Sequence, residues 1–444
     1  MTPAEQPLSV RNEQVLVRQL SSVQQAMMAI GGAIGTGLFL STGLSVGIAG
    51  PAIIVSYVIV AGISLLLGRA VSEMAVAHPT PGAFGVHAAL YVSPFAGYAV
   101  RVSYWLMEVI ATGGHLTAAA TYMRFWFPEV HGAVWVLGFA VVLLYLNSRA
   151  VGRLARIEYW LVLIKVTAVA VFVAIAILLV VGATGQPAVG VRNLTDHGFA
   201  PFGASGIWFG CCFGIYSFIG CEIVGVTSGE AADPARSIPR AMRRSVLGLS
   251  AIYIVTITLL TAITPWQQLS VDKSPFVTAL SGHGIPAAAG VMNFVVLSAA
   301  LSSSNANLYL ISRTLFSLAR GGFAPRSLGE LSRRGTPVNA LLASGLGLAA
   351  AVVIEVLWEG TAYQILFALS LFGALFVWLM IFVTHIAFRG RRLPFGSYLG
   401  LAAIAAILVS TWWVPLLRTT LLAGGPWLAI LGIGYVVSRR RTPG

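Results

Sequence analysis

Ile30 to Phe39 reads "IGGAIGTGLF", and four of these ten residues are glycine, inside an apolar run covering about residues 22–47. Glycine inside a helix is worse than alanine by about 1 kcal/mol, so a membrane helix that carries its own breakers needs a reason. The sixth apolar run has the same oddity: "GIWFGCCFGIYSFIGCEIVGVTSGE" places Gly206, Gly210, Gly214, Gly220, Gly225 and Gly229 in one span. The two interrupted runs lie five spans apart. An odd offset brings the second copy into the bilayer from the opposite face, as an inverted repeat requires, and proteins built this way set discontinuous helices around a midplane site. Glycine is also common at tight contacts between membrane helices, which is the alternative for either run taken alone. A matched pair favours the first reading.

The rest of the composition agrees with a membrane setting. Of 444 residues, 57% are apolar and only 9% charged, against about a quarter charged in soluble domains, and the mean hydropathy is +0.87. Runs such as "YWLVLIKVTAVAVFVAIAILLVV" have the length of about 20 residues that a helix needs to cross the hydrocarbon core. No alternating pattern of the membrane-barrel kind occurs. The expected fold is an all-α integral membrane protein of about twelve helices, at roughly 22–47, 51–76, 94–127, 132–149, 156–182, 204–230, 241–264, 287–320, 338–357, 361–388, 397–417 and 421–438. The third and eighth runs are long enough to require tilt or extension beyond the bilayer. "GEAADPARSIPRAMRR" reads as a turn at Asp233-Pro234 and then a helix start at Ser237-Ile238-Pro239. The connections 183–203 and 265–286 are candidates for an outer lid.

The net charge of +13 needs no nucleic acid once it is set against topology. With the N-terminus inside, Arg11 and Arg18, Arg149 to Arg156, Arg236 to Arg244, Arg320 to Arg334, Arg389 to Arg392 and Arg439 to Arg441 share one side, and Arg124, Arg192, Lys273 and Arg418 the other. That is the positive-inside asymmetry. It places both termini in the cytoplasm and the chain in the cytoplasmic membrane, with the lipid bilayer as its surroundings. Cys211, Cys212 and Cys221 have neither metal-ligand nor disulfide-framework spacing. No metal site or cofactor is expected.

Charged groups inside hydrocarbon are functional candidates by default. In the third span, Glu108, Thr112 and His115 fall at i, i+4 and i+7 on one face, with Tyr104 and Trp105 a turn earlier. Lys165 lies about 9 Å from the inner end of the fifth span, where snorkelling to water is the competing reading. Glu222 follows the broken "YSFIG" segment, a position that suits a group taking up and releasing protons. In the eighth span, "LSSSNANLYLISR" puts Ser302, Asn305, Tyr309 and Ser312 on one face with Asn307 beside it; Ser and Asn also glue membrane helices. No nucleophile elbow, zinc-protease motif or Walker A loop is present, which argues against an enzyme.

"IGGAIGTGLFLSTG" with "AGPAIIVSY", then "YSFIGCEIVGVTSGEAADPARSIPRA", "TPWQQLSVDKSPFV" and "LSSSNANLYLISRTLFSLARGGFAP" resemble bacterial amino-acid permeases of the amino acid–polyamine–organocation superfamily, closest to its amino acid transporter family. The likeness covers nearly the whole chain. It implies a cytoplasmic segment 1–21, a five-helix repeat 22–182, an inverted repeat 204–388, two peripheral helices within 397–438 and a tail 439–444. It also implies that the substrate carboxylate meets N–H groups of Ile34, Gly35, Thr36 and Gly37, and the ammonium meets carbonyls around Tyr216, Ser217 and Ile219. Helix-end chemistry agrees, since a half-helix N-terminus offers donors and a C-terminus acceptors. Lys165 and Glu222 match coupling or gating positions of the family. "GHLTA" stands where relatives often read "AELTA", so His115 departs from the family pattern, and Asn307 falls at a variable position facing the substrate side chain. The expected function is proton-coupled import of an L-amino acid, neutral or polar in preference to cationic. Exchange of one amino acid for another is the alternative mode, and a non-transporting amino-acid receptor the remoter one.

Overall fold

The computed structural model describes residues 21–80, 83–149, 151–183, 187–231, 233–269, 273–283, 286–332 and 335–441. The expected N-terminal segment up to residue 20, Arg333, Arg334 and the last three residues lie outside them. Among the described residues the elements are helices and turns, with no strand.

The first run is three pieces, α1 (Ser22–Ala33), α2 (Thr36–Phe39) and α3 (Ser41–Ala49). The break at residues 34–35 is the expected one. A second bend at Leu40 was not expected; it is held by Ser41 Oγ donating to Gly37 O and Thr42 Oγ1 to Leu38 O, both at 2.5 Å. Such back-bonding by Ser and Thr bends helices. There follow α4 (Ile53–Ala77), the short connector α5 (Ala83–Tyr91), α6 (Pro94–Met123), α7 (Gly132–Arg149) and α8 (Val151–Val181). The sixth run is α9 (Gly203–Phe218) and α10 (Ile223–Val226), then a 3-10 turn at Thr227–Glu230. The remainder is α11 (Pro234–Ile263), α12 (Pro275–Gly282), α13 (Pro286–Arg320), α14 (Val338–Leu357), α15 (Ala362–Arg389), α16 (Phe395–Ser410), α17 (Arg418–Leu422) and α18 (Gly424–Arg441).

Local chemistry explains the ends. Ser93 caps α6, its Oγ accepting from Ala96 N–H at 3.1 Å, with Pro94 in the first turn where no N–H is needed. α11 begins at Pro234 and carries Pro239 inside it, a turn earlier than the sequence suggested. Ser237 does not cap; its Oγ donates to Asp233 O at 2.6 Å. α13, at 35 residues, rises about 52 Å and so projects beyond the about 30 Å core.

Nine stretches of described residues are long and apolar enough to cross a membrane, and their outward faces are apolar too: Leu342, Leu346, Val353 and Val356 of α14 are all exposed. Such a surface suits lipid contact. Inside, α6 lies between α13 and α15, and α4 packs on α9 and α11. Glu73 of α4 is ion-paired to Arg389 of α15 at 2.9 Å and hydrogen-bonded to His385 Nε2 at the same distance, and His385 Nδ1 meets Ser397 Oγ of α16 at 2.7 Å. Within the connection 265–286, the described residues include a packed helix: α12 buries Phe276 edge-on against Phe39 at 5.3 Å, and Ser274 Oγ donates to Phe39 O at 2.9 Å. α12 therefore sits against the second half of the first run.

Candidate substrate-binding site

The two breaks face one another. A methyl on Gly37 would stand 3.2 Å from Ser217 Cα, and one on Gly220 would stand 3.3 Å from Ala33 N. Gly220 also has φ +104, a left-handed backbone that side chains resist, so glycine there serves both the turn and the approach.

At the first break the last bond of α1 runs from Ile34 N–H to Ile30 O at 2.9 Å, and the next from Phe39 N–H to Gly35 O at 3.2 Å. The N–H groups of Gly35, Thr36, Gly37 and Leu38 are left without an intrahelical carbonyl, the four orphan donors of a helix start. Ile34, expected among the donors, is already engaged, and its side chain is buried away from the cavity; Leu38 takes its place. The donor set is shifted by one residue, because α1 keeps its last turn. At the other end of this break, Gly31 O accepts from Lys165 Nζ at 3.0 Å. Lys165 is fully buried, so it does not snorkel to water; its ammonium sits at the negative end of the α1 dipole.

At the second break, Ser217 O accepts from Tyr253 OH at 2.7 Å and Tyr216 O from Ile219 N–H at 3.3 Å. Ile219 is then the expected acceptor that both lines the cavity and has a carbonyl free of backbone N–H. Ser217 turns its Oγ to Tyr57 OH at 2.9 Å. Glu222 folds back so that its Oε2 accepts from Gly220 N–H at 3.0 Å, holding the turn itself.

Between the breaks is a cavity of about 40 Å³, room for about three waters, so a larger ligand requires the walls to part. Gly35 and Gly37 of the first run line it, with Tyr216, Ile219 and Gly220 of the sixth, Glu108 and His115 of α6, and Asn307 of α13. Thr36 reaches it indirectly, its Oγ1 lying 2.7 Å from His115 Nδ1. Thr112 does not: its Oγ1 donates to Glu108 O at 2.7 Å within its own helix. The face of α6 that meets the cavity is Met107, Glu108, Ala111 and His115, a stripe centred one residue from the expected one. In the eighth run, Asn305 is glue, its Oδ1 accepting from Asn147 Nδ2 of α7 at 2.9 Å.

Sequence reasoning missed the wall supplied by α15. Ser370 lines the cavity. One turn away, Phe367 lies 4.2 Å, centroid to centroid, from Tyr216, and Tyr363 OH reaches Thr36 O at 3.4 Å. The spacing 363, 367, 370 is a helical stripe within "AYQILFALS" and was legible as such.

Opposed helix breaks around a small cavity that carries buried Glu108, His115 and Asn307, in a bundle with an apolar exterior, define a membrane transporter. The fold is similar to that of a manganese transporter from Eremococcus coleocola, with a TM-score of 0.61 at 14% identity, covering 97% of this chain and 99% of that one. The amino acid permease family model matches residues 24–443. Among curated proteins, the chain is 35% identical over 439 residues to the aromatic amino acid transport protein AroP of Escherichia coli K12, covering 96% of each. It is 32% identical over 438 residues to the uncharacterized amino acid permease YtnA of Bacillus subtilis, covering 95% of each. The chain belongs to the amino acid permease family: it is a multi-pass membrane transporter of amino acids and not an enzyme.

Proposed function

We propose that the protein imports an L-amino acid with a neutral side chain, together with a proton, by alternating access of the repeats 22–182 and 204–388. The cytoplasmic membrane is its site of action, with both termini inside. One observation carries this reading: of the four unpaired N–H groups at the first break, those of Gly35 and Gly37 belong to residues that line the same cavity as Ile219 of the second, whose carbonyl accepts no backbone N–H among the described residues. That pair of helix ends suits a carboxylate and an ammonium on one carbon. Lys165 and Glu222 would carry coupling, each buried and each bonded to the backbone of a break.

The side-chain end would meet Met107, Glu108, His115, Tyr216, Asn307 and Ser370. The Tyr216–Phe367 pair supports aromatic substrates within the neutral class, since ring pairs add about 0.5–1.5 kcal/mol beyond area burial, and the AroP relatives are named for such substrates. Glu108→Gln and His115→Ala are each expected to reorder the ranking of competing amino acids in an uptake assay. An unchanged order would assign both residues to helix packing. For coupling, purified protein in liposomes should accumulate substrate when an inward proton gradient is imposed and lose it with a protonophore. Uptake that ignores the gradient and requires internal amino acid would replace symport by exchange.

A further inference from the structure

Tyr253 of α11 is fully buried, and its hydroxyl lies 2.9 Å from Ala33 O and 2.7 Å from Ser217 O. Ala33 is the last residue of α1 and Ser217 the penultimate residue of α9, so one proton is shared between the carboxyl-terminal ends of two half-helices. Each such end carries freed carbonyls and about half a negative charge. Brought together they repel, and a donor placed between them removes the repulsion and spans the gap. The ring needs no hydroxyl to stay in place: it is wedged edge-on against Tyr57 at 5.8 Å and Phe218 at 5.4 Å.

We propose that the Tyr253 hydroxyl is a positioning group that holds the two helix breaks in register, fixing the separation between the carboxylate and ammonium halves of the amino-acid site. By engaging the Ala33 and Ser217 carbonyls it also leaves Ile219 as the acceptor presented to the ligand. The proposal rests on the amino-acid site described above, and it separates Tyr253 from residues that touch substrate, because Tyr253 is absent from the cavity lining.

Tyr253→Phe tests it, since the ring contacts remain and only the donor goes. L-Phenylalanine, which engages both breaks, is expected to bind the variant about tenfold more weakly than wild type, the worth of one hydrogen bond. 2-Phenylethylamine and 3-phenylpropionate, which engage one break each, are expected to change by less than about twofold. Equal weakening of all three ligands would make Tyr253 a general packing residue and overturn the proposal. Hydrogen exchange without ligand supplies a second reading: amides 35–38 and 219–222 should exchange faster together in the variant, and unaltered exchange at either break overturns it. If wild-type protein binds no phenylalanine, the aromatic substrate reading fails while the exchange measurement still decides the role of Tyr253.

Discussion

Replacing Lys165 with alanine is expected to reduce proton-driven accumulation by about tenfold to a hundredfold while the protein still inserts and folds. The ammonium is fully buried and has Gly31 O at 3.0 Å. Gly31 is one of the last residues of α1, whose carboxyl end carries about half a negative charge. A charge on Lys165 therefore stabilises the stopped helix; under the proposed coupling, loss of the proton would weaken that hold and so link protonation to the geometry of the N–H donors four to seven residues beyond Gly31. Alanine leaves Gly31 O without this donor, at about 1–3 kcal/mol, and removes the titratable group from this end of the first break. Counterflow exchange in the same liposomes needs no net proton movement, so it should fall far less than accumulation. Wild-type accumulation in Lys165→Ala would refute the role.

How far the site was legible follows from the kind of signal each part leaves. The breaks were readable because glycine is a strong local marker in a span that otherwise favours helix. The register of the donors was not: whether Ile34 or Leu38 is the fourth free N–H depends on where α1 closes its last bond, and no residue type announces that. The same limit moved the α6 face from Thr112 to Ala111 and Met107, since a one-residue rotation of a long helix is set by neighbours such as Ala351 against Gly113. Lys165 was ambiguous in sequence because length alone permits snorkelling, and only the position of Gly31 O resolves it. Tyr253 left no signal at all. It is one tyrosine in an ordinary apolar span, and its meaning lies in α11 crossing both breaks.

A methyl group at Gly35 tests the first break directly. It would stand 2.5 Å from Ser303 Oγ and 3.2 Å from Ser303 Cβ, inside the about 3.5–4.0 Å of ordinary contact. The backbone at Gly35, with φ −142, is not left-handed, so no positive-φ strain adds to the clash. Gly35→Ala is expected to lower initial uptake by about tenfold or more, because α2 must shift off the cavity and carry its donors with it; a displacement of about 1 Å from a productive geometry has such effects. Ser303 Oγ is buried with no hydrogen-bond partner among the described residues, so Ser303→Ala removes the closer of the two contacts at little cost and leaves the milder one, Cβ at 3.2 Å. The double variant Gly35→Ala with Ser303→Ala should therefore recover part of the lost uptake. Gly37→Ala should be as harmful, yet its methyl meets Ser217 Cα at 3.2 Å, a backbone atom of the opposite break that no side-chain change removes. Ser303→Ala should not rescue it. Uptake measured across this set gives a coupling of Gly35 with Ser303 and none of Gly37 with Ser303. Rescue of both, or of neither, would show that the methyl groups act by some route other than the packing of α2 between α13 and α9.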